Sequence, residues 1–146
     1  MFGALIEEYN LVSKTAYNDV AVLHNPITSG KTFKVWLMTV NTVSATGSRF
    51  ELVVGSTFTV GTGIAVPIAN MLVGSPIIST ATLRTGITIT SIGIPIKEVS
   101  QTKGAFSLEI PIDFTLQLPP GKTLHIRGLP DAANALVSIS LKWMED

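Results

Sequence analysis

Apolar residues occupy every second position from Phe106 to Leu118: Phe106, Leu108, Ile110, Ile112, Phe114, Leu116 and Leu118. Successive side chains on a strand point to opposite faces, so this run predicts a long β-strand with one buried face. Pro119-Pro120-Gly121 stops it, because proline presets φ for a turn and glycine accepts positive φ. Pro111 removes a ladder donor mid-strand, which places the strand at a sheet edge or on a bulge. Two strands follow. Thr123 to Gly128 turns Leu124 and Ile126 inward and His125 outward. Ala135 to Met144 puts Ala135, Val137, Ile139, Leu141 and Trp143 on one face, and Leu136, Ser138, Ser140, Lys142 and Met144 on the other.

Upstream the same period recurs. Val20 to Leu23 predicts a short strand ended by Asn25-Pro26. Lys31 to Ser44 alternates, with Phe33, Val35 and Leu37 on one face and Lys34, Trp36, Met38 and Val40 on the other. Arg49 to Val54 turns Phe50, Leu52 and Val54 inward, and with a turn at Ala45 to Ser48 the two runs read as an antiparallel hairpin. Thr82 to Ile96 is dense in β-branched residues, and Pro95 suggests an edge. Glu98 to Gly104 reads as a polar loop.

Gly55 to Thr80 differs from these runs. It is rich in Gly, Ser, Thr and Pro, and no charge stands between Glu51 and Arg84. A disordered linker would be more polar, so this is expected to be a long ordered excursion, with one short strand or helical turn near Ala69 to Val73. Long ordered loops in compact domains commonly carry binding. Residues 1–19 fit an N-terminal arm or a first strand, since Leu5 to Val12 suits two helical turns or an extended segment equally. Residues 20–146 form the domain. About eight uneven strands and no strong helix predict an all-β, single-domain antiparallel β-sandwich. Long connections crossing between sheets favour a jelly roll over an immunoglobulin-like order, whose paired cysteines are also missing.

Composition narrows the function. The 146 residues suit one core. Only 14% are charged and 46% are hydrophobic, against roughly 25% charged in an average soluble chain. Such a chain buries much surface or shares it with partners. Ten basic and ten acidic residues leave no formal net charge, so the cationic field of a nucleic-acid binder is missing. Without cysteine there is no disulfide or thiolate metal site. No apolar run reaches the roughly 18 residues of a membrane helix, and no basic residue precedes the short apolar N-terminus. The expectation is a protein made in the cytoplasm that binds neither nucleic acid nor membrane.

Candidate chemistry is sparse. Ser29-Gly30-Lys31-Thr32 imitates the end of a phosphate loop, but Asn25 stands where the first glycine belongs and a strand follows instead of a helix. Gly121-Lys122-Thr123 fails the same way, with Leu116 at the glycine position. Gly61-Thr62-Gly63 lacks the third glycine of a dinucleotide fingerprint. His24 and His125 have no neighbouring carboxylate motif, so a metal site is disfavoured. Glu109 and Asp113 share a strand face about 13 Å apart, wider than the 5–9.5 Å of glycosidase pairs. No serine lies in a nucleophile elbow. Trp36 and Trp143 suit core or interface better than sugar stacking. No catalytic, cofactor-binding or metal residue is assigned, no cofactor is expected, and the chain is not expected to be an enzyme.

Two segments carry a resemblance. Asn25-Pro26-Ile27-Thr28-Ser29-Gly30-Lys31-Thr32-Phe33-Lys34-Val35 is similar to the opening of small virion proteins of bacteriophages and related viruses. Leu118-Pro119-Pro120-Gly121-Lys122-Thr123-Leu124-His125-Ile126-Arg127, followed by the aromatic-Glu strand from Val137 to Glu145, resembles their later turn and terminal strand. The resemblance implies a jelly-roll virion surface protein, commonly trimeric, with no active site to carry over. The expected function is a capsid decoration (cement) or head-surface protein of a bacteriophage, a structural protein located on the virion and partnered by the major capsid or another virion protein. Alternatives are a single-jelly-roll shell protein of a tailless virus and a carbohydrate-binding module of a tail or spike. An outward apolar set of Trp36, Met38, Val40, Leu136 and Met144 would lie at the homotrimer interface, leaving the arm 1–19 and the loop 55–80 free to contact capsid subunits.

Overall fold

A computed structural model describes residues 1–42, 46–101 and 108–146. Ala45 of the expected turn, Thr102 to Gly104 of the expected loop, and Phe106 and Ser107 of the long alternating run lie outside the described residues. Thirteen strands follow in order: β1 (Phe2–Leu11), β2 (Asn18–His24), β3 (Phe33–Thr42), β4 (Ser48–Val54), β5 (Thr57–Phe58), β6 (Ile64–Ala65), β7 (Ala69–Asn70), β8 (Thr82–Thr85), β9 (Ile89–Ser91), β10 (Ile94–Gln101), β11 (Leu108–Leu118), β12 (Thr123–Pro130) and β13 (Ala135–Glu145). No helix occurs among the described residues, and every strand pairing is antiparallel.

Two sheets make the sandwich. The first runs β11-β3-β13-β1-β7 and the second β10-β4-β12-β2-β8-β6, while β5 and β9 form a separate ribbon. Eight strands have seven residues or more, and they pair first with last: β1 with β13, β2 with β12, β3 with β11, β4 with β10. The chain is therefore one long antiparallel ribbon rolled into two sheets, which is jelly-roll winding. Phe33, Phe50, Leu124, Ile126, Ile139 and Trp143 fill the space between the sheets, none with measurable exposure. Inward residues of β4, β12 and β13 are those that the alternation predicts.

The arm reading does not hold for residues 2–11. They form β1, hydrogen-bonded between β13 and β7, with Phe2, Ile6 and Leu11 in the core. Of the two expectations, the first strand is the one these residues form. The expected hairpin of 31–44 with 49–54 is also corrected. β3 lies in the first sheet and β4 in the second, so the two are not paired with each other. Side chains bridge this corner: Thr42 Oγ1 lies 2.5 Å from Ser48 Oγ and donates to Gln101 Oε1 at 2.7 Å.

A bulge corrects the face assignment of β3. Val35 pairs with Trp143 but Leu37 pairs with Lys142, which leaves Trp36 as an extra residue. Phe33 and Val35 face inward before the bulge, and Met38 and Val40 after it; all four are buried. Met38 and Val40 thus leave the outward apolar set. Opposite them β11 is irregular between Pro111 and Leu116, with Asp113 and Phe114 at positive φ. The irregularity turns Phe114 out of the core, and its ring stacks on Trp36 at 6.4 Å. Pro111 is at a sheet edge and Pro95 likewise, since β11 and β10 end their sheets. Glu98 to Gln101 belong to β10 and pair with β4, so the expected polar loop is strand there.

The excursion 55–80 is ordered. β7 supplies the short strand near Ala69, pairing Ala69 with Gly3 and Asn70 with Phe2. Deleting residues 1–11 is expected to abolish cooperative unfolding, because β13 loses a partner strand and the core loses Phe2, Ile6 and Leu11. A thermal melt followed by circular dichroism checks this, and a truncated protein melting within a few degrees of the full chain contradicts the assignment.

Candidate functional site

The two motif segments meet in space, and their polar side chains hold the fold. Asn25 is fully buried at the end of β2. Its Nδ2 donates to Lys31 O at 2.7 Å and to Leu118 O at 2.8 Å, and its Oδ1 accepts from Ser29 Oγ at 2.5 Å. Its backbone accepts from Gly121 N and donates to Lys122 O. One asparagine thus satisfies both turns, and buried amides need such partners. Lys31 points to Glu145, with Nζ 3.5 Å from Oε2, and Thr32 N donates to Asp146 O. The residues that imitate a phosphate loop are therefore bound to the C-terminal strand.

Glu145 is the second knot. Its buried carboxylate accepts from Ser79 Oγ, from Thr80 N at 3.1 Å, from Thr80 Oγ1 at 3.0 Å and from Trp143 Nε1 at 3.2 Å. Burial pushes this carboxyl up, but the hydrogen bonds from Ser79, Thr80 and Trp143 outweigh burial and hold it below the usual range. It fastens the end of the excursion to β13.

His125 is the main departure from the sequence reading. It alternates outward on β12, yet it has no exposure. The excursion folds back over the outer face of the second sheet and covers it. Gly55 N donates to Thr123 O, Thr123 Oγ1 donates to Ser56 O, and Phe58 meets the ring of His24 edge-on at 5.1 Å. Val22 and Val53, the cross-strand neighbours of His125, are buried there too, outside the main core. No periodicity reports this cover, because it comes from residues 30 or more positions away in an irregular segment.

Around His125 lies a Ser-His-Asp constellation. Ser56 Oγ is 2.8 Å from Nδ1, and Asp19 Oδ1 is 2.9 Å from Nε2. Asp19 also lies 3.6 Å from Arg127, which binds Glu51 at 3.1 Å and sits 4.9 Å from the centre of the Tyr17 ring. Tyr17 in turn donates to Glu98 on β10. The geometry is unlike a working triad. Ser56 is buried and its Oγ already accepts from Gly93 N, and neither Ser56 nor His125 lines any of five surface grooves among the described residues. A nucleophile needs an open position beside it for the reacting carbon. Here that space holds Gly93, where even a Cβ would come 2.0 Å from Val54 O. The cluster ties the excursion to the sheet.

Other candidates are dispersed. Glu109 and Asp113 are exposed on edge strand β11. Trp143 is core, and Trp36 stacks with Phe114 and has the Lys142 ammonium 5.7 Å from its ring centre. Gly61 to Gly63 turns at positive φ against β8, with Arg84 Nε donating to Thr62 O at 2.7 Å. No group of three metal-ligating side chains occurs among the described residues.

The exposed apolar residues do cluster. Ile64, Met71, Leu72, Val73, Ile77 and Ile78 lie along or beside the β6–β7 margin, and Ile94 and Ile96 on β10, with Ile92 just before it. The fold and this surface define an all-β jelly-roll-like sandwich with apolar margins. Comparison with protein-family models, characterised proteins and solved structures finds no match.

Burial lowers the pKa of His125, against the opposing pull of Asp19, and Arg127 lowers it further; burial alone lowers that of His24. The unfolded chain therefore takes up protons first, near the ordinary value of about 6.5. Their contribution to stability is complete above that pH and is lost as pH falls through the depressed folded values. Urea unfolding is expected to show His125→Asn less stable than the parent by about 1–3 kcal/mol at pH 7.5, with the gap narrowing at pH 5.5. An equal gap at both pH values contradicts the neutral, hydrogen-bonded histidine.

Proposed function

We propose that this chain is a structural virion protein, a phage capsid decoration or head-surface protein acting as a homotrimer of about 46 kDa, from three chains of 15.5 kDa. The observation that carries this reading is the concentration of large exposed apolar side chains on the charge-free excursion and on β10. Soluble monomers avoid contiguous apolar patches of this kind, and such patches mark interaction sites. The resemblance of the two motif segments supplies the virion context. Its motif residues Asn25, Lys31 and Glu145 are all used in fastening turns and strands together, as a structural family requires. Ser56 and His125 are buried beneath the excursion, which favours a structural role over a hydrolytic one.

A single-jelly-roll shell protein is the second reading, favoured by the complete eight-strand roll. The carbohydrate module is less well supported, because Trp143 is buried and the Trp36 ring already has Phe114 and Lys142 packed on it. The test uses particles assembled in cells lacking this gene. The decoration reading expects closed capsids to form without the protein, and added protein to co-sediment with them saturably. Failure of capsids to form selects the shell reading. Intact capsids that bind none of the added protein overturn the decoration reading.

A further inference from the structure

Two apolar features stand at opposite margins of the sandwich, and they differ in shape. At the β6–β7 margin, residues 71–77 make a projecting loop. Asn70 braces its base, donating through Nδ2 to Ile77 O at 2.9 Å and accepting from Leu72 N at 2.9 Å. The loop is anchored to the N-terminus by Met71 N donating to Met1 O. Val73 at its tip is 95% exposed and Leu72 is 70% exposed. At the other margin, between edge strands β10 and β11, lies a groove of about 330 Å³ lined by Val54, Ile94, Leu116, Leu118 and Pro119, with Lys122 at its rim.

The two features lie at one level. A single row of paired residues crosses the first sheet: Leu116 beside Val35, Val35 beside Trp143, Trp143 beside Phe2, Phe2 beside Asn70. The groove is at one end of this row and the base of the loop at the other. Contact between unlike ends of one row joins copies head to tail without displacing them along the strands. Such a heterologous contact closes into a ring when the rotation per copy permits.

Area favours a second copy of the chain as the occupant. Met71, Leu72, Val73 and Ile77 of the loop are 48–95% exposed, together on the order of 500 Å², near the roughly 600 Å² per partner at the low end of specific interfaces. No charged residue lies between Glu51 and Arg84 to oppose burial.

We infer that the 71–77 loop of one copy seats Leu72 and Val73 in the β10–β11 groove of the next, forming a head-to-tail ring. This deepens the trimer reading by naming unlike surfaces, and replaces the outward face of β3 and β13 as the interface.

Thiol cross-linking tests it cleanly, because the chain has no cysteine. Val73→Cys and Ile94→Cys are made singly and treated with a short bis-maleimide, alone and mixed. The mixture is expected to give at least five-fold more cross-linked dimer than either variant alone. Val73→Cys joining to itself as efficiently as to Ile94→Cys overturns the head-to-tail contact, as does an absence of cross-linking throughout. Light scattering on Val73→Asp is the second measurement. The expected result is a monomer with unchanged melting temperature, and an unchanged oligomer overturns the proposal. Neither readout involves a capsid, so cross-linking without capsid binding removes the virion reading and leaves the contact standing. Capsid binding by a strictly monomeric protein does the reverse.

Discussion

The pairing of the first strand with the last is the constraint from which the rest of the structure follows. β1 and β13 run antiparallel along most of their length, joined through Phe2 and Trp143 at one end and Leu11 and Ala135 at the other. With the chain ends held together, each following pair of long strands must lie inside the previous one, ending with β4 and β10. The excursion from Gly55 to Gly93 is therefore the closing loop of a rolled ribbon. Its two ends are fixed by neighbouring strands, so its considerable length costs little more closure entropy than a shorter loop would.

That loop does two things with one composition. Its first part, with the returning strand β9, covers the outer face of β12 and buries His125, Val22 and Val53. The rest lies against the β1 margin, held there by β7 and by the Glu145 carboxylate. Covering a polar ring is costly unless its nitrogens have partners; Ser56 Oγ is hydrogen-bonded to Nδ1, and the Asp19 carboxylate stands 2.9 Å from Nε2 as a charge contact. Once those anchors are made, the loop still carries aliphatic side chains that stay exposed among the described residues. The fold leaves them at a margin, which is where a neighbouring molecule can reach them.

Much of this was legible in the sequence. The two-residue period located β4, β12 and β13 with their inward faces, and β11 except where its irregularity turns Phe114 out, and Pro95 and Pro111 marked the two edges. Period alone does not name a strand's partner, so 31–44 and 49–54 looked like a hairpin although they belong to opposite sheets. A bulge is silent as well: one extra residue at Trp36 reverses the faces of Met38 and Val40. Residues 2–11 were ambiguous because β1 carries one β-branched residue, Ile6, and a bulge between Ile6 and Tyr9, with Glu8 at positive φ, breaks its alternation. Asn25 and Lys31 were noticed as motif residues, but their meeting with Leu118 and Glu145 spans more than 90 positions. The cover over His125 and the apolar margins have no local signal, since irregular backbone decides both.

The central claim is that the closing loop of the ribbon is the surface that joins molecules together, while the strands hold the fold. Hydrogen–deuterium exchange measured at nanomolar and at tens of micromolar protein tests it most directly. The account predicts slower exchange at residues 71–78 and 92–97 in the concentrated sample, with β1, β12 and β13 unchanged. Identical exchange in both regions across that range, or protection appearing on the outer face of β3 and β13 instead, contradicts it.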